Sequence, residues 1–221
     1  MQHRFYQRSK VDQIKIIFVV VGLLSVMLFG FVLISWGVKM YWIAFLAFPI
    51  LLSVAAPFID TPSLVKSGKL IYCSNLFLME KPKNGAITIH GGTLFDYVFV
   101  LNQTMSGNQR TRYILQQYFE GLLFLIEEYE AGKLENYRVK GTTYLLNRRT
   151  AKKIGFEITR TDVLQQIILI YNFLNILISN SIAKKKFAIP NLCNTASFRT
   201  RLSELATHKQ IIEKWNHKLK I

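Results

Sequence analysis

The chain has 221 residues with 28 Lys and Arg against 13 Asp and Glu, a net charge of +15, and 51% of it is hydrophobic. Its two cysteines, Cys73 and Cys193, and four scattered histidines, His3, His90, His208 and His217, offer neither a disulfide framework nor metal-ligand spacing. The phosphate-cradling Gly-x-x-x-x-Gly-Lys-Ser/Thr and the dinucleotide-binding Gly-x-Gly-x-x-Gly patterns are absent, so nucleotide hydrolysis and dinucleotide redox chemistry have no support, and no cofactor or metal is expected.

A basic segment, residues 1–15, precedes two apolar runs. Ile16–Trp36 holds 21 residues without a charge and Met40–Ile59 another 20. Each is long enough to cross a hydrocarbon core of about 30 Å as a helix. Only Gly37, Val38 and Lys39 separate them, which predicts an antiparallel hairpin. Arg4, Arg8, Lys10 and Lys15 flank the first run, Lys66 and Lys69 follow the second, and the turn offers Lys39 alone. The positive-inside rule then puts both termini in the cytoplasm. The runs hold no ionisable residue for a proton relay. Two helices cannot enclose a path, so a pore would need a homo-oligomer, with Gly22 and Gly30 permitting close approach.

Residues 60–221 read as a basic cytoplasmic α+β domain in which 23 Lys and Arg face 12 Asp and Glu, a net +11. Pro57, Pro62 and Ser63–Gly68 read as the end of the second span and a short linker. Lys69–Met79 reads as a strand, Lys81–Gly85 as a hairpin turn built on Asn84-Gly85, Ala86–His90 as the returning strand and Tyr97–Leu101 as a third. Leu115, Tyr118, Phe119, Leu122, Leu123 and Ile126 fall on one helical face, with Gly132 as the stop. Tyr137–Leu146 reads as a strand, Thr150–Lys153 as a helical turn ended by Gly155, and Phe156–Ile158 as extended.

Asp162 with Gln165 has the spacing of a capping box and opens a helix over Val163–Ile182, uncharged from Val163 to Ile178. Its apolarity on nearly every face predicts a core helix, with a third membrane or interfacial segment as the alternative. After Pro190 a final amphipathic helix is expected over Ser197–Leu219. Phe198, Leu202, Leu205, Ile212, Trp215 and Leu219 form a heptad-like seam on it, and Leu202, Leu205, Ile212 and Trp215 are its candidate docking or oligomerisation residues.

The densest candidate binding cluster is Arg138, Lys140, Arg148, Arg149, Lys152 and Lys153, with Tyr137 and Tyr144 interleaved. Such cations can grip phosphates of nucleic acid or of lipid headgroups, and the tyrosines can stack on bases. Lys184–Lys186 with Arg199 and Arg201 form a second patch. His90, Asp96 and Cys73 are the polar candidates for a lipid-acting enzyme, but a Gly-Gly turn without a nucleophile motif reads as structural. No catalytic residue is assigned.

Two spans followed by a basic soluble domain resemble the two-transmembrane effectors of bacterial antiphage systems, especially those encoded beside retron reverse transcriptases. The resemblance lies in the order of parts. It implies an inner-membrane protein that damages the membrane and arrests the infected cell, partnered by a reverse transcriptase with its DNA–RNA product or by another anionic ligand, besides membrane lipids. A membrane-anchored scaffold or assembly factor of the cell envelope is the main alternative.

Overall fold

The computed structural model describes residues 3–143, 148–159, 162–192 and 195–220. Helices α1 (Lys10–Gly37) and α2 (Trp42–Lys66) are both long and apolar enough to cross a membrane, and they pack as an antiparallel pair. The turn between them is held by Ser35, whose hydroxyl donates to the Phe31 carbonyl at 2.7 Å and accepts the Ala44 N–H at 2.9 Å. Lys39 takes a left-handed φ of 54° there, which tightens the reversal. Around the turn, Trp36, Tyr41 and Trp42 stand exposed.

Beyond the hairpin lies an α+β domain whose sheet runs in the order β1 (Leu70–Ser74), β2 (Phe77–Glu80), β3 (Ala86–Gly91), β4 (Arg138–Thr143), β6 (Ala196–Arg201), β5 (Glu157–Thr159). The β3–β4 pair is parallel and the other pairs are antiparallel. Helix α3 (Leu94–Val100) follows β3, and α4 (Gly107–Glu130) makes the crossover to β4. Helices α5 (Arg148–Lys153), α6 (Val163–Tyr171), α7 (Phe173–Lys184), α8 (Leu202–Thr207) and α9 (Lys209–Leu219) complete the described elements.

Strand alternation separates two faces. Phe77, Met79, Ile87, Val139 and Phe198 share one face and form the core with Ile114, Leu122, Leu125 and Ile126 of α4 and with Leu202, Leu205 and Ile212 of α8 and α9. Helix α4 starts on a Ser106–Gln109 capping box and stops at Gly132, φ +70°. At Gly121 it lies so close to β2 that a Cβ would stand 2.3 Å from the Phe77 ring, so only glycine fits.

Five expectations need correction. Helix α2 passes through Pro57 and Pro62 to Lys66, leaving Ser67–Lys69 as the linker. Lys69–Met79 is two strands. Its turn at Ser74-Asn75 is satisfied from α4: Ser74 Oγ donates to the Gln117 carbonyl at 2.7 Å, and Gln117 Oε1 accepts the Asn75 N–H at 2.8 Å. Tyr97–Leu101 lies in and just after α3, whose first turn is set by the Thr93 N–H donating to Asp96 Oδ2 at 2.6 Å. Val163–Ile182 is broken at Asn172 into α6 and α7, bent by 66°, and Asp162 makes no side-chain cap bond. The final amphipathic helix begins only at Leu202. Residues 196–201 alternate buried and outward as β6, and the helical part bends at His208. Tyr144–Leu146 and Cys193 lie outside the described residues.

Candidate functional site

Two features stand out against this scaffold: the seam where the hairpin meets the domain, and the uncovered half of the sheet's second face.

The seam begins with proline chemistry. Pro57 has no N–H, so the carbonyl four residues earlier, on Ser53, has no intrahelical donor. The Asn175 side chain of α7 supplies one, with Nδ2 donating to the Ser53 carbonyl at 2.8 Å inside a buried contact. Asn175 thus keys α7 onto the middle of α2. At its other end α7 is tied to the domain by Arg110 of α4, which is buried and donates to the Ile182 carbonyl at 2.6 Å and twice to the Asn102 carbonyl at 2.9 and 3.1 Å. A guanidinium is the side chain that can hold two carbonyls in one plane.

Residues ahead of α1 close the seam from the opposite side. Arg4 donates to the carbonyls of Val98, Phe99 and Leu101, capping the C-terminal end of α3 at 2.7 to 3.0 Å. Phe5 is fully buried against Phe95 and Phe99, and Phe58 of α2 meets the edge of the same Phe95 ring. His3 Nε2 lies 3.2 Å from Asp96 Oδ1, both side chains without exposed surface. That carboxylate also accepts from the Tyr72 hydroxyl and from the Thr93 N–H and hydroxyl. Burial raises the Tyr72 phenol well above its usual range, the Asp96 charge adding to the effect, and burial pushes Tyr6 to about 12. Tyr72 therefore remains a hydrogen-bond donor throughout the physiological range.

The three candidates for lipid chemistry are not brought together. Asp96 is committed to His3, Tyr72 and Thr93, while His90 Nε2 lies 2.8 Å from Glu80 Oε1 on an exposed part of the hairpin. Cys73 points to the opposite sheet face, where burial and the nearby Glu128 raise its thiol to about 12. A thiol held neutral in this way is a poor nucleophile.

The second face of β4 and β6 is cationic. Arg138 stands opposite Arg201 and Lys140 opposite Arg199 in register, all four exposed. Like charges facing across a ladder destabilise it, and a bound anion relieves the repulsion. Arg138, Arg199 and Arg201, with Lys152 of α5, line an open groove of about 790 Å³ that also presents His208, Glu157 and Glu204. Glu157 Oε2 accepts from Arg199 Nε at 2.9 Å, an exposed pair that contributes little to stability. Arg148, Arg149 and Lys153 are exposed on α5 and are not groove walls. Tyr137 precedes β4 and packs on the core.

Arg199 and Arg201 therefore belong with Arg138 and Lys140 rather than with Lys184–Lys186. The pattern Ala196-Ser197-Phe198-Arg199-Thr200-Arg201, strictly alternating, carried that information. The docking residues Leu202, Leu205 and Ile212 have no exposed surface, and Trp215 packs against Phe119 with ring centroids 5.6 Å apart. They hold α8 and α9 to the parent domain.

Helix α6 contrasts with α7. Val163, Ile167, Ile168, Ile170 and Tyr171 are all exposed, whereas Asn175, Ser179, Asn180 and Ala183 are buried. The core-helix expectation thus fits α7 and fails for α6, whose Val163, Ile167, Ile168, Ile170 and Tyr171 are left uncovered by the domain. Among the described residues there is no group of His, Cys, Asp and Glu able to hold a metal ion. Comparison with family models, curated proteins and solved structures returned no match to this chain.

Proposed function

We propose that the protein is a membrane effector of an antiphage system. Its hairpin and α6 lie in the inner membrane, its termini and domain are cytoplasmic, and occupancy of the basic sheet face governs whether the hairpins perturb the bilayer. The observation that carries this reading is the keyed seam. A passive anchor needs only a tether, whereas here Asn175 links the middle of α2 through α7 to Arg110 in the domain. A change at the domain can therefore reach the membrane helices through packed, hydrogen-bonded elements.

Several features support the membrane arrangement. Residues 3–5 and the start of β1 both contact Asp96 or its helix, so the two outer ends of the hairpin sit on one side of it. Exposed Trp36, Tyr41 and Trp42 at the hairpin tip suit the opposite bilayer interface. Helix α6 joins α7 at Asn172, three residues before the Asn175 contact with Ser53, so its exposed apolar side chains start at a depth where lipid rather than water would cover them.

The cationic face supports an anionic ligand, and in a retron-type setting the fitting partner is a reverse transcriptase carrying its DNA–RNA product. The separate commitments of His90, Asp96 and Cys73 favour a non-catalytic role. Leu202, Leu205 and Ile212, three of the candidate docking residues, are used up inside the domain and leave a scaffold's partner nothing to hold there. The test is membrane potential and growth in phage-challenged cells. The full chain is expected to depolarise them, and a chain lacking residues 1–59 is not. Equal behaviour of the two chains overturns the effector reading.

A further inference from the structure

Between α2, the polar end of the β2–β3 hairpin and the α6–α7 bend lies a cavity of about 890 Å³, within the range of ligand sites. Its walls differ in chemistry. Ala56, Pro57 and Leu64 of α2 and Leu169 and Ile176 of the bent pair make an apolar side. Lys69, Lys81 and Lys83 make a cationic rim, and among the described residues none of the three is in an ion pair. The lining also holds two carboxylates, Glu80, which is engaged by His90, and Asp60. Asn175 lines the same space. Its Nδ2 is used by the Ser53 carbonyl, but its Oδ1 is buried with no partner, an acceptor that costs stability until a donor reaches it.

We propose that this cavity binds one anionic glycerophospholipid. The phosphate lies among the three lysines, a headgroup hydroxyl donates to Asn175 Oδ1, and the acyl chains leave along α2 and α6. This rests on the membrane reading above, because the chains need hydrocarbon beside α6. The position fits a headgroup: α2 changes from uncharged to charged sequence at Asp60, beside the cavity, and a bilayer changes from hydrocarbon to phosphate at the same kind of boundary. Lysine rims of this kind recognise acidic lipids.

The test uses the full chain in nanodiscs of phosphatidylcholine containing phosphatidylglycerol. Native mass spectrometry after detergent extraction reads the lipid retained, and glycerol 3-phosphate is added as a soluble competitor. One phosphatidylglycerol per chain is expected, preferred by about tenfold, or 1.4 kcal/mol. The preference is lost in Lys81→Gln/Lys83→Gln, which alters only exposed side chains, and retention is lost in Leu169→Trp, which fills the cavity. Lys133→Gln, remote from the cavity, leaves both unchanged. Equal retention of the two lipids, or retention indifferent to both cavity variants, overturns the proposal. Displacement by millimolar glycerol 3-phosphate assigns the site to a soluble phosphate ester and overturns the lipid. A chain that does not enter nanodiscs overturns the membrane reading itself; one that enters without selectivity overturns only this site.

Discussion

Helices α1 and α2 are close in length, 28 and 25 residues, and both are apolar, yet they are built for different tasks. Helix α1 has no internal proline, buries only Ser35 and packs on α2. Helix α2 carries Pro49, Pro57 and Pro62, buries Ala47, Ser53, Ala55 and Thr61, and touches α3, α7 and β1. Prolines weaken a helix by removing donors, and where a partner replaces the donor the weakness becomes a specific joint. An anchor can be smooth, but a transmitting element must be keyed, and only α2 is keyed.

The largest expected break of this contrast is at Phe95, which joins residues 3–5, α2 and α3 in one ring cluster. Phe95→Ala should cost about 3–5 kcal/mol, read as lost thermal stability and early proteolysis after residue 66. Next is Asn175→Ala, which strands the Ser53 carbonyl at a cost of about 1–3 kcal/mol. Pro57→Ala restores the missing N–H to α2, so the double variant should recover most of that loss. Failure to recover would show that the contact is packing rather than a replaced hydrogen bond.

A smaller, graded effect should follow alkaline pH. The folded state holds Tyr6, Tyr72 and Cys73 neutral above their ordinary values of 10, 10 and 9. As pH rises past about 9 the unfolded chain releases these protons first. It then binds fewer than the native state, and stability falls. Melting temperature should be level below that pH and decline above it, and Tyr72→Phe should shallow the decline. Smallest of all, α1 substitutions such as Val26→Ala should stay within about 0.5 kcal/mol in the same melts. A large effect there would erase the distinction between the two helices.

The hairpin was legible because two charge-free runs leave no other economical fold, and α4 because its face and both caps are local. The Asn84-Gly85 turn was equally plain, with both residues at positive φ, 52° and 69°. The differences share a cause: local apolarity does not say which partner an element packs on. Tyr97–Leu101 is apolar enough for a strand, yet Thr93 and Asp96 have capping-box spacing and start a helix instead. Arg199 and Arg201 lie just ahead of a heptad-like seam that is real only from Leu202 onward, and the helical spacing behind them hides the strand. The cationic groove was therefore half visible, through Arg138 and Lys152. The Asn175–Ser53 joint spans 122 residues and could not be read from any local pattern.

The docking of residues 3–5 on α3 has a consequence for the order of synthesis. These residues leave the ribosome long before 94–101, so the hairpin must form while its leading segment is still free. His3, Arg4 and Phe5 can settle only after β1, β2 and β3 have emerged and α3 has followed. His3, Arg4 and Phe5 are thus fixed only after a segment about ninety residues later has been made, and until they dock Asp96 lacks one of its donors.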